Sequence, residues 1–313
     1  MYEIAPYTAE QKTVWDDFVS RSKQGTFLLR RDYMDYHRDR FCDHSLMVWN
    51  KNSLVAVLPA NREGDVLWSH QGLTYGGLLT LDKTKTVEVC DIFRCINDYL
   101  RARGFRRVIY KPVPWIYHRL PAEEDLYAVF NVCGAHLKVR NIASVIKQSN
   151  SLKWSRIRSW GADKAYTNGI EVGQDNADYA SFWKVLTDNL RTTHHAAPVH
   201  TLEEMQRLHA AFPDNIKLYT AKLHDKVLGG VLLYVTPHVV HSQYISASPE
   251  GKQEHAIDAI FHKIITQDYC HCTYFDFGTS NEQRGRVLNE GLIYQKEGFG
   301  GRGVCYDWYE WEL

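Results

Sequence analysis

The residues of this chain that could carry out chemistry are concentrated near its C-terminal end, around one aspartate and one lysine. Asp276 lies in Tyr274–Phe277, where aromatic and polar residues alternate as in a strand with one apolar face. Lys296 shortly precedes Gly298–Gly301, where small residues let a ligand approach the backbone closely. Lys296 is a candidate for neutralising an oxyanion or a phosphate, and Asp276 for orienting Lys296 or accepting a proton.

Both residues also have a purely structural interpretation. The structural alternative for Lys296 is a surface lysine beside a glycine turn, whose removal would leave activity intact; in the catalytic role, its removal is expected to lower turnover and hardly change stability. An aspartate at the end of a strand can cap the next turn through backbone N–H groups. Between the two residues, a short helix is predicted from Gln283 to Leu288.

A second group of candidates lies near the N-terminus, on a helix predicted around Arg31–Arg40. Its aromatic, imidazole and guanidinium side chains are spaced i, i+3, i+4 and i+7, which places them on one helical face: Tyr33, Tyr36, His37 and Arg40. Such a face could bind a phosphorylated or sugar-bearing ligand, or could pack against a sheet. Tyr75, in the glycine-rich segment Ser69–Gly77, is a further candidate for the same ligand.

Composition limits the class of protein. With 313 residues the chain is long enough for about two domains. Its 37 basic and 37 acidic residues argue against nonspecific nucleic-acid binding but leave room for local basic clusters, one of them Lys147, Lys153, Arg156, Arg158 and Lys164. Seven scattered cysteines are typical of reduced thiols and predict a cytoplasmic protein. No apolar run approaches the ~18 residues of a membrane span, and no zinc-ligand spacing predicts a metal site.

Hydrophobic periodicity predicts a mixed α/β (α+β) fold in which one order of elements occurs twice: helices, antiparallel strands, a helix and a strand. In the second half, the strands are predicted at Ile216–Leu223, Val227–Val235 and Val239–Ala247. An amphipathic helix with a stripe at Ile257, Ile260, Phe261 and Ile264 follows and leads into the strand that contains Asp276.

The strand ending in Asp276-Phe-Gly278, followed by Lys296 before a Phe-Gly turn, resembles the C-terminal signature of FemAB-type transferases, which are relatives of the GNAT acyltransferases. Trp154–Arg158 and Lys164–Val172 are similar to that family's Arg-rich helix and following strand. The resemblance implies two tandem GNAT-like domains, residues 1–147 and 148–313, with the last strand returning to the first domain.

For a GNAT enzyme the resemblance also implies a donor site after the fourth strand. There Ser246–His255 has a single glycine and two carboxylates, which are unfavourable for the pyrophosphate of CoA. The strands Val227–Val235 and Val239–Ala247 are expected to separate near their ends and admit the donor, with Tyr244 and Ser246 on one face as substrate-binding residues.

The function implied by the resemblance is that of an acyl or aminoacyl transferase that forms an amide on an amine-bearing acceptor. The donor would be aminoacyl-tRNA or acyl-CoA, and the acceptor a small molecule or a cell-envelope precursor. Two alternatives remain at this stage: an acyl-CoA-dependent N-acetyltransferase, and a GNAT-fold binding protein without turnover.

Overall fold

The computed structural model describes residues 2–194 and 196–313. The chain forms two compact units. Unit 1 consists of Met1–Asn141, Gln283–Val287 and Cys305–Leu313, and unit 2 of Ile142–Glu282 and Leu288–Val304. No described helix has both the length and the apolar character that crossing a membrane requires.

The described part of unit 1 contains four α-helices and the strands of two sheets. The helices are α1 (Lys12–Arg21), α2 (Arg31–Met34), α3 (Thr86–Ala102) and α4 (Glu124–Asn131). The strands are β1 (Tyr2–Pro6), β2 (Cys42–Asp43), β3 (Leu46–Asn50), β4 (Ser53–Leu58), β5 (Asn61–Glu63), β6 (Val66–Trp68), β7 (Leu79–Thr80), β8 (Arg107–Tyr110) and the first half of β9 (His136–Lys147).

Unit 2 begins within β9. Its helices are α5 (Arg156–Thr167), α6 (Tyr179–Asn189), α7 (Leu202–Ala211), α8 (Pro249–Gln253), α9 (Ala256–Lys263) and α10 (Glu290–Gly298). Its strands are β10 (Glu171–Gln174), β11 (Ile216–Leu223), β12 (Lys226–Val235), β13 (Val239–Ala247), β14 (Tyr274–Thr279), β15 (Asn281–Glu282) and β16 (Val287–Leu288). The last strand, β17 (Arg302–Glu312), starts in unit 2 and ends in unit 1.

The core of unit 1 forms around the amphipathic helix α3. Strands β1, β3, β4 and β7 make one antiparallel sheet, and β2, β5, β6 and β8 follow one another in a second. The helix buries Phe93 and Leu100 in a cluster that also contains Trp311 of β17. β17 reaches this core because it pairs with β8, where Tyr309 lies opposite Tyr110.

Unit 2 is built on a sheet with the order β10-β11-β12-β13-β14-β9, in which only β13 and β14 are parallel. Helix α9 covers it with the predicted stripe, and Ile260, Phe261 and Ile264 are almost fully buried together with Phe275 and Phe277. The three antiparallel strands and the strand that contains Asp276 lie where the sequence predicts them.

Two predicted helices are wrong in position or extent. Gln283–Leu288 is not helical: Gln283, Arg284 and Gly285 have φ angles of 50°, 54° and 82°, and they form the turn between β15 and β16. The helix in this region is α10, which contains Lys296. The helix predicted around Arg31–Arg40 ends at Met34 and continues only as a 3-10 turn to His37.

Candidate active site

A cavity of about 430 Å³ lies in unit 2 at the ends of β13 and β14. Ser246 and Ala247 of β13, Phe277 of β14 and Lys296 of α10 all line it. The cavity exists because the two strands are paired only from Val239–His241 to Tyr274–Asp276, although both continue beyond this stretch.

The strands expected to separate are a different pair, so that prediction is wrong. β12 and β13 stay paired up to Gly229 and Ala247, with one irregularity at Leu232/Leu233. They are consecutive antiparallel strands joined by a short turn, which favours a continuous ladder. β13 and β14 are connected through α8 and α9, and this parallel pair is the one that diverges.

Lys296 is buried rather than exposed, with only 4% of its surface accessible, which contradicts the expectation for a lysine at a glycine turn. Its Nζ donates to the backbone carbonyls of Gly278, at 2.9 Å, and Thr279, at 2.8 Å. Burial lowers the pKa of Lys296 from 10.5 to about 8, while Asp276 acts in the opposite direction. An ammonium group has three N–H donors, so two carbonyls leave one for a ligand in the cavity.

Asp276 is fully buried and organises the turn that binds Lys296. Its Oδ1 accepts a hydrogen bond from the N–H of Gly278 at 2.7 Å, and its Oδ2 lies 2.8 Å from Nδ1 of His241. Gly278 has a φ of +72°, and a Cβ at this position would lie 3.0 Å from the His241 ring. Asp276 therefore holds the Gly278 backbone, whose carbonyl in turn binds Lys296.

A second charged group in the cavity was not singled out as a site by the sequence. Asp258, 2% exposed, accepts from Nη1 of Arg158 at 2.9 Å and lies 3.1 Å from Nδ1 of His255. The sequence signal for this group was its position directly after Ile257, a residue of the apolar stripe. A carboxylate at such a position needs partners if it is buried, because a buried charge is costly when it is unpaired. With Lys252 and Lys296 also in the lining, cations outnumber carboxylates, and the cavity is suited to a negatively charged or strongly polarised group.

Ser246 and Tyr244 have different surroundings. Ser246 is buried and lines the cavity, and its hydroxyl oxygen, which is almost inaccessible, has no hydrogen-bond partner within residues 2–194 and 196–313. The Tyr244 hydroxyl instead lies 2.7 Å from Nδ1 of His200, and its ring packs edge-on against Trp183. Burial raises the pKa of Tyr244 to about 12.

The helix that would hold a pyrophosphate in a GNAT enzyme is α8. It starts with Pro249, which has no N–H to donate, and the N–H of Gly251 donates to the Ser248 side chain at 3.0 Å. Glu250 forms an ion pair with Lys226 next to this terminus. The start of α8 is therefore poorly equipped to bind an anion.

In unit 1 the structure brings most of the N-terminal candidates together. The rings of Tyr36 and His37 stack at 4.2 Å, Tyr33 packs edge-on against Tyr36, and Cζ of Arg40 lies 5.4 Å from the Tyr36 ring centroid. His37 is buried, with its ring nitrogens 2.7 Å from the Met34 carbonyl and 3.3 Å from that of Gly72.

Tyr75 has its own partners in unit 1. Its hydroxyl donates to Thr26 Oγ1 at 3.1 Å, and its ring lies 4.8 Å from that of Tyr117. Helical spacing does not explain the cluster of Tyr33, Tyr36 and His37, because these residues span α2 and the 3-10 turn after it.

Among the described residues no group of His, Cys, Asp and Glu side chains could hold a metal ion.

Comparison with known proteins supports the fold. Residues 155–284 match the model of the acetyltransferase (GNAT) domain. The chain is similar in structure to FemX, with a TM-score of 0.70 and 11% identity over 99% of this chain and 97% of that one. No curated protein matches the chain in sequence.

Two further solved structures share the fold over nearly the full length. L-PGS from Bacillus licheniformis has a TM-score of 0.60 and 9% identity, covering 98% of this chain and 92% of that one. A tandem GNAT protein from the clavulanic acid biosynthesis pathway has a TM-score of 0.52 and 9% identity, covering 100% and 98%. The resemblance to FemAB-type and GNAT proteins is confirmed. Residues 155–284 thus match a GNAT acetyltransferase domain, within a chain that shares the fold of FemX and of the tandem GNAT protein.

Proposed function

We propose that this protein transfers an aminoacyl group from aminoacyl-tRNA to an amine and forms an amide, with Lys296 stabilising the transition state. The observation that carries the proposal is the buried ammonium group of Lys296 at a cavity between diverging strands. Its two carbonyl bonds fix Nζ in place, so that little reorganisation is needed when charge develops on the substrate.

The reaction requires an attacking amine, a stabilised oxyanion and a leaving group. The amine nitrogen bonds to the carbonyl carbon of the aminoacyl ester, and the bond from this carbon to the ribose oxygen breaks. The proton lost by the amine ends on the departing hydroxyl group. The third N–H of Lys296 donates a hydrogen bond to the oxyanion, and Ser246 lies in the lining of the same cavity.

The start of α8 favours aminoacyl-tRNA over acyl-CoA as the donor. CoA binding in GNAT enzymes uses backbone N–H groups at this position, and here Pro249 lacks one while Ser248 occupies that of Gly251. The adjacent carboxylate of Glu250 would face a pyrophosphate. An ester donor without a pyrophosphate avoids both problems.

For the acceptor we propose an amine-bearing precursor of the cell envelope, or a related small molecule. The aromatic cluster around Tyr36, with Arg40 over its ring, provides stacking and a positive charge for a sugar or a phosphate. Seven free cysteines support a reaction in the cytoplasm.

The decisive experiment compares wild type with Lys296→Ala and Lys296→Arg, using a mixture of radiolabelled aminoacyl-tRNAs or acetyl-CoA and a panel of amines. We expect transfer from aminoacyl-tRNA and a loss of roughly 100-fold in turnover for Lys296→Ala, as on removal of one oxyanion donor. We expect poor rescue by Lys296→Arg, since a planar guanidinium does not replace a compact ammonium.

The controls separate the competing functions. Val87→Ala, an exposed position in α3, should retain full turnover, and circular dichroism should show that all variants are folded. Transfer from acetyl-CoA alone would establish the N-acetyltransferase instead. Unchanged turnover in Lys296→Ala would remove this residue from the reaction, and binding without transfer would indicate a GNAT-fold binding protein.

A further inference from the structure

A histidine–aspartate pair lies in the lining of the cavity and has no part in the steps assigned to Lys296. Nδ1 of His255 lies 3.1 Å from Oδ2 of Asp258, and both residues line the cavity. Asp258 is 2% exposed, and its other oxygen, Oδ1, accepts a hydrogen bond from Nη1 of Arg158 at 2.9 Å. The carboxylate is thus held between two partners and fixes the orientation of the imidazole ring.

The backbone and the packing around His255 permit this contact. His255 has a φ of +55°, in the left-handed region that residues other than glycine rarely adopt. On the facing helix, Gly161 leaves room for the pair, because a Cβ there would lie 2.2 Å from Oδ2 of Asp258 and 2.9 Å from Nδ1 of His255. The ring of Trp160 packs edge to face on the imidazole, with centroids 4.9 Å apart. Backbone conformations of this kind are concentrated at functional sites, where the surrounding structure holds them in place.

The hydrogen bond to Asp258 determines which ring nitrogen of His255 can accept a proton. A carboxylate only accepts hydrogen bonds, so in the neutral ring Nδ1 carries the hydrogen and Nε2 keeps a lone pair. Nε2 has no hydrogen-bond partner in the part of the chain that the structure describes. His255 therefore has an unoccupied proton acceptor, and its side chain lines the same cavity as the ammonium group of Lys296.

The pair is connected to Lys296 through Arg158. The Arg158 side chain runs from Asp258 to α10, where a Cβ at Gly298 would lie 3.2 Å from Cγ of the arginine. Gly298 follows Lys296 by two residues in this helix. One side chain therefore contacts both the carboxylate that orients His255 and the helix that carries Lys296.

We propose that His255 is the general base of the transfer reaction and that Asp258 positions it. Nε2 takes a proton from the attacking amine while the bond between the amine nitrogen and the carbonyl carbon of the donor forms. The proton then passes to the leaving group as its bond to the carbonyl carbon breaks, and the ring returns to its neutral state. Lys296 stabilises the oxyanion between these two steps, so the base and the cation have separate roles.

This inference rests on the amide-forming part of the proposed function and is independent of the donor. The amine must lose a proton whether it attacks the ester of aminoacyl-tRNA or the thioester of acyl-CoA. The surroundings of Asp258 favour a proton acceptor over a fixed cation at His255. Arg158 already supplies the positive charge that pairs with this carboxylate, so the imidazole is not required as a cation.

The test compares wild type with His255→Asn. Asparagine tolerates the left-handed backbone and can donate to Asp258, but it cannot accept a proton at neutral pH. The matched control is His224→Asn, an exposed histidine with a φ of +47° in the turn between β11 and β12. With both kinds of donor and a panel of amines, we expect kcat to fall roughly 100-fold or more in His255→Asn. The KM for the donor should stay close to that of wild type, and His224→Asn should retain full turnover.

Two further kinetic measurements distinguish a proton acceptor from a structural residue. Turnover of wild type should fall on acidification, because a protonated ring cannot accept a proton, and His255→Asn should lose this dependence. Lys296, with a pKa of about 8, stays protonated in this range. The other charged side chains of the lining are Arg158, Lys252 and Asp258. Added imidazole should partly restore turnover in His255→Gly, since glycine adopts the same φ without strain.

Nitrogen NMR of the histidine rings tests the inference independently of turnover. We expect the neutral ring of His255 to carry its hydrogen on Nδ1, and a hydrogen on Nε2 would overturn the inference. Unchanged kcat in His255→Asn would also overturn it, as would a raised donor KM with unchanged kcat, which would make His255 a binding contact. Transfer from acetyl-CoA alone that still depends on His255 would refute the proposed donor and support the base. No transfer by wild type from either donor would refute both proposals.

Discussion

A lysine that is buried without a direct carboxylate bond is costly for a protein to retain. The two carbonyl oxygens that bind Lys296 are dipoles and not charges, and burial correspondingly lowers its pKa to about 8. The protein tolerates this side chain in its charged state near neutral pH. Such a group is a candidate for function because an apolar residue of similar size would avoid the desolvation penalty.

The lowered pKa of Lys296 leads to a prediction for the pH dependence of turnover. If the ammonium form is the active one, turnover should fall as the pH rises through about 8, because the lysine then loses its proton. The measurement is the rate of transfer between pH 6 and 10 at saturating donor. A rate that stays constant to pH 10 would contradict the cationic role.

Stability should change in the opposite direction over the same range. The unfolded chain binds this proton more tightly than the folded one, so the unfolding free energy should rise relative to Lys296→Met between pH 8 and 10.5, by roughly 3 kcal/mol in total. Urea denaturation of both proteins at several pH values provides this difference. If the unfolding free energy rises in this way, the fall in turnover does not come from unfolding.

At the scale of the secondary-structure elements, the contact between α5 and α9 determines the geometry of the cavity. Arg158 of α5 reaches Asp258 of α9, and Gly161 lets the two helices approach. Gly161→Ala should therefore disrupt the Arg158–Asp258 pair, destabilise the protein by about 1–3 kcal/mol and lower turnover.

The matched control for this substitution is Gly173→Ala in β10. A Cβ at Gly173 meets no atom within 4 Å, and we expect its stability and turnover to be close to those of wild type. Thermal unfolding and transfer assays on both variants test the prediction. If Gly161→Ala and Gly173→Ala had the same stability and turnover, α5 and α9 would be able to shift without any loss of stability or activity, which would contradict the prediction.

Periodicity in the sequence predicts the elements that bury one regular face. The stripe at Ile260, Phe261 and Ile264 locates α9, and the capping box of Thr201 and Glu204 locates the start of α7, where Glu204 N donates to Thr201 Oγ1 at 3.1 Å. Helix α10 has no such stripe, because Lys296 is the one residue that it buries. Its position could not be predicted from hydrophobic spacing.

The site is less predictable than the fold for a similar reason. The motif identified Lys296 and Asp276, but Asp258 and His255 meet Arg158 only after α5 and α9 have packed. The divergence of β13 from β14 depends on which strands are neighbours, and a list of strands does not contain this information. The domain boundaries stay predictions, and so do the functional roles of all the candidate site residues: Lys296, Asp276, Tyr33, Tyr36, His37, Arg40, Tyr75, Tyr244 and Ser246.

At the scale of the whole molecule, the core of unit 1 depends on residues from the end of the chain. Trp311 is 2% exposed and lies against Phe93 and Tyr110, with ring centroids 6.3 and 6.1 Å away. Its Nε1 donates to Asn97 at 3.2 Å. Trp311→Ala should destabilise unit 1 by about 3–5 kcal/mol.

This prediction can be checked by hydrogen exchange, which reports on each unit separately. We expect faster exchange in α3 and β8 of the Trp311→Ala variant and little change in α9 and β12. Tyr127→Ala, which removes an exposed ring, serves as the control. Uniformly faster exchange in both units would mean that they unfold together.

The arrangement of β17 has a consequence for the order of events during synthesis on the ribosome. Residues 305–313 complete the core of unit 1, yet they are translated after every residue of unit 2. Unit 1 cannot complete its core until Trp311 has been synthesised. Unit 2, in contrast, can fold around α9 as soon as residues 288–304 emerge. In the nascent chain we therefore expect unit 2 to fold before unit 1. When stalled chains are treated briefly with a protease, unit 1 should be the last to become resistant.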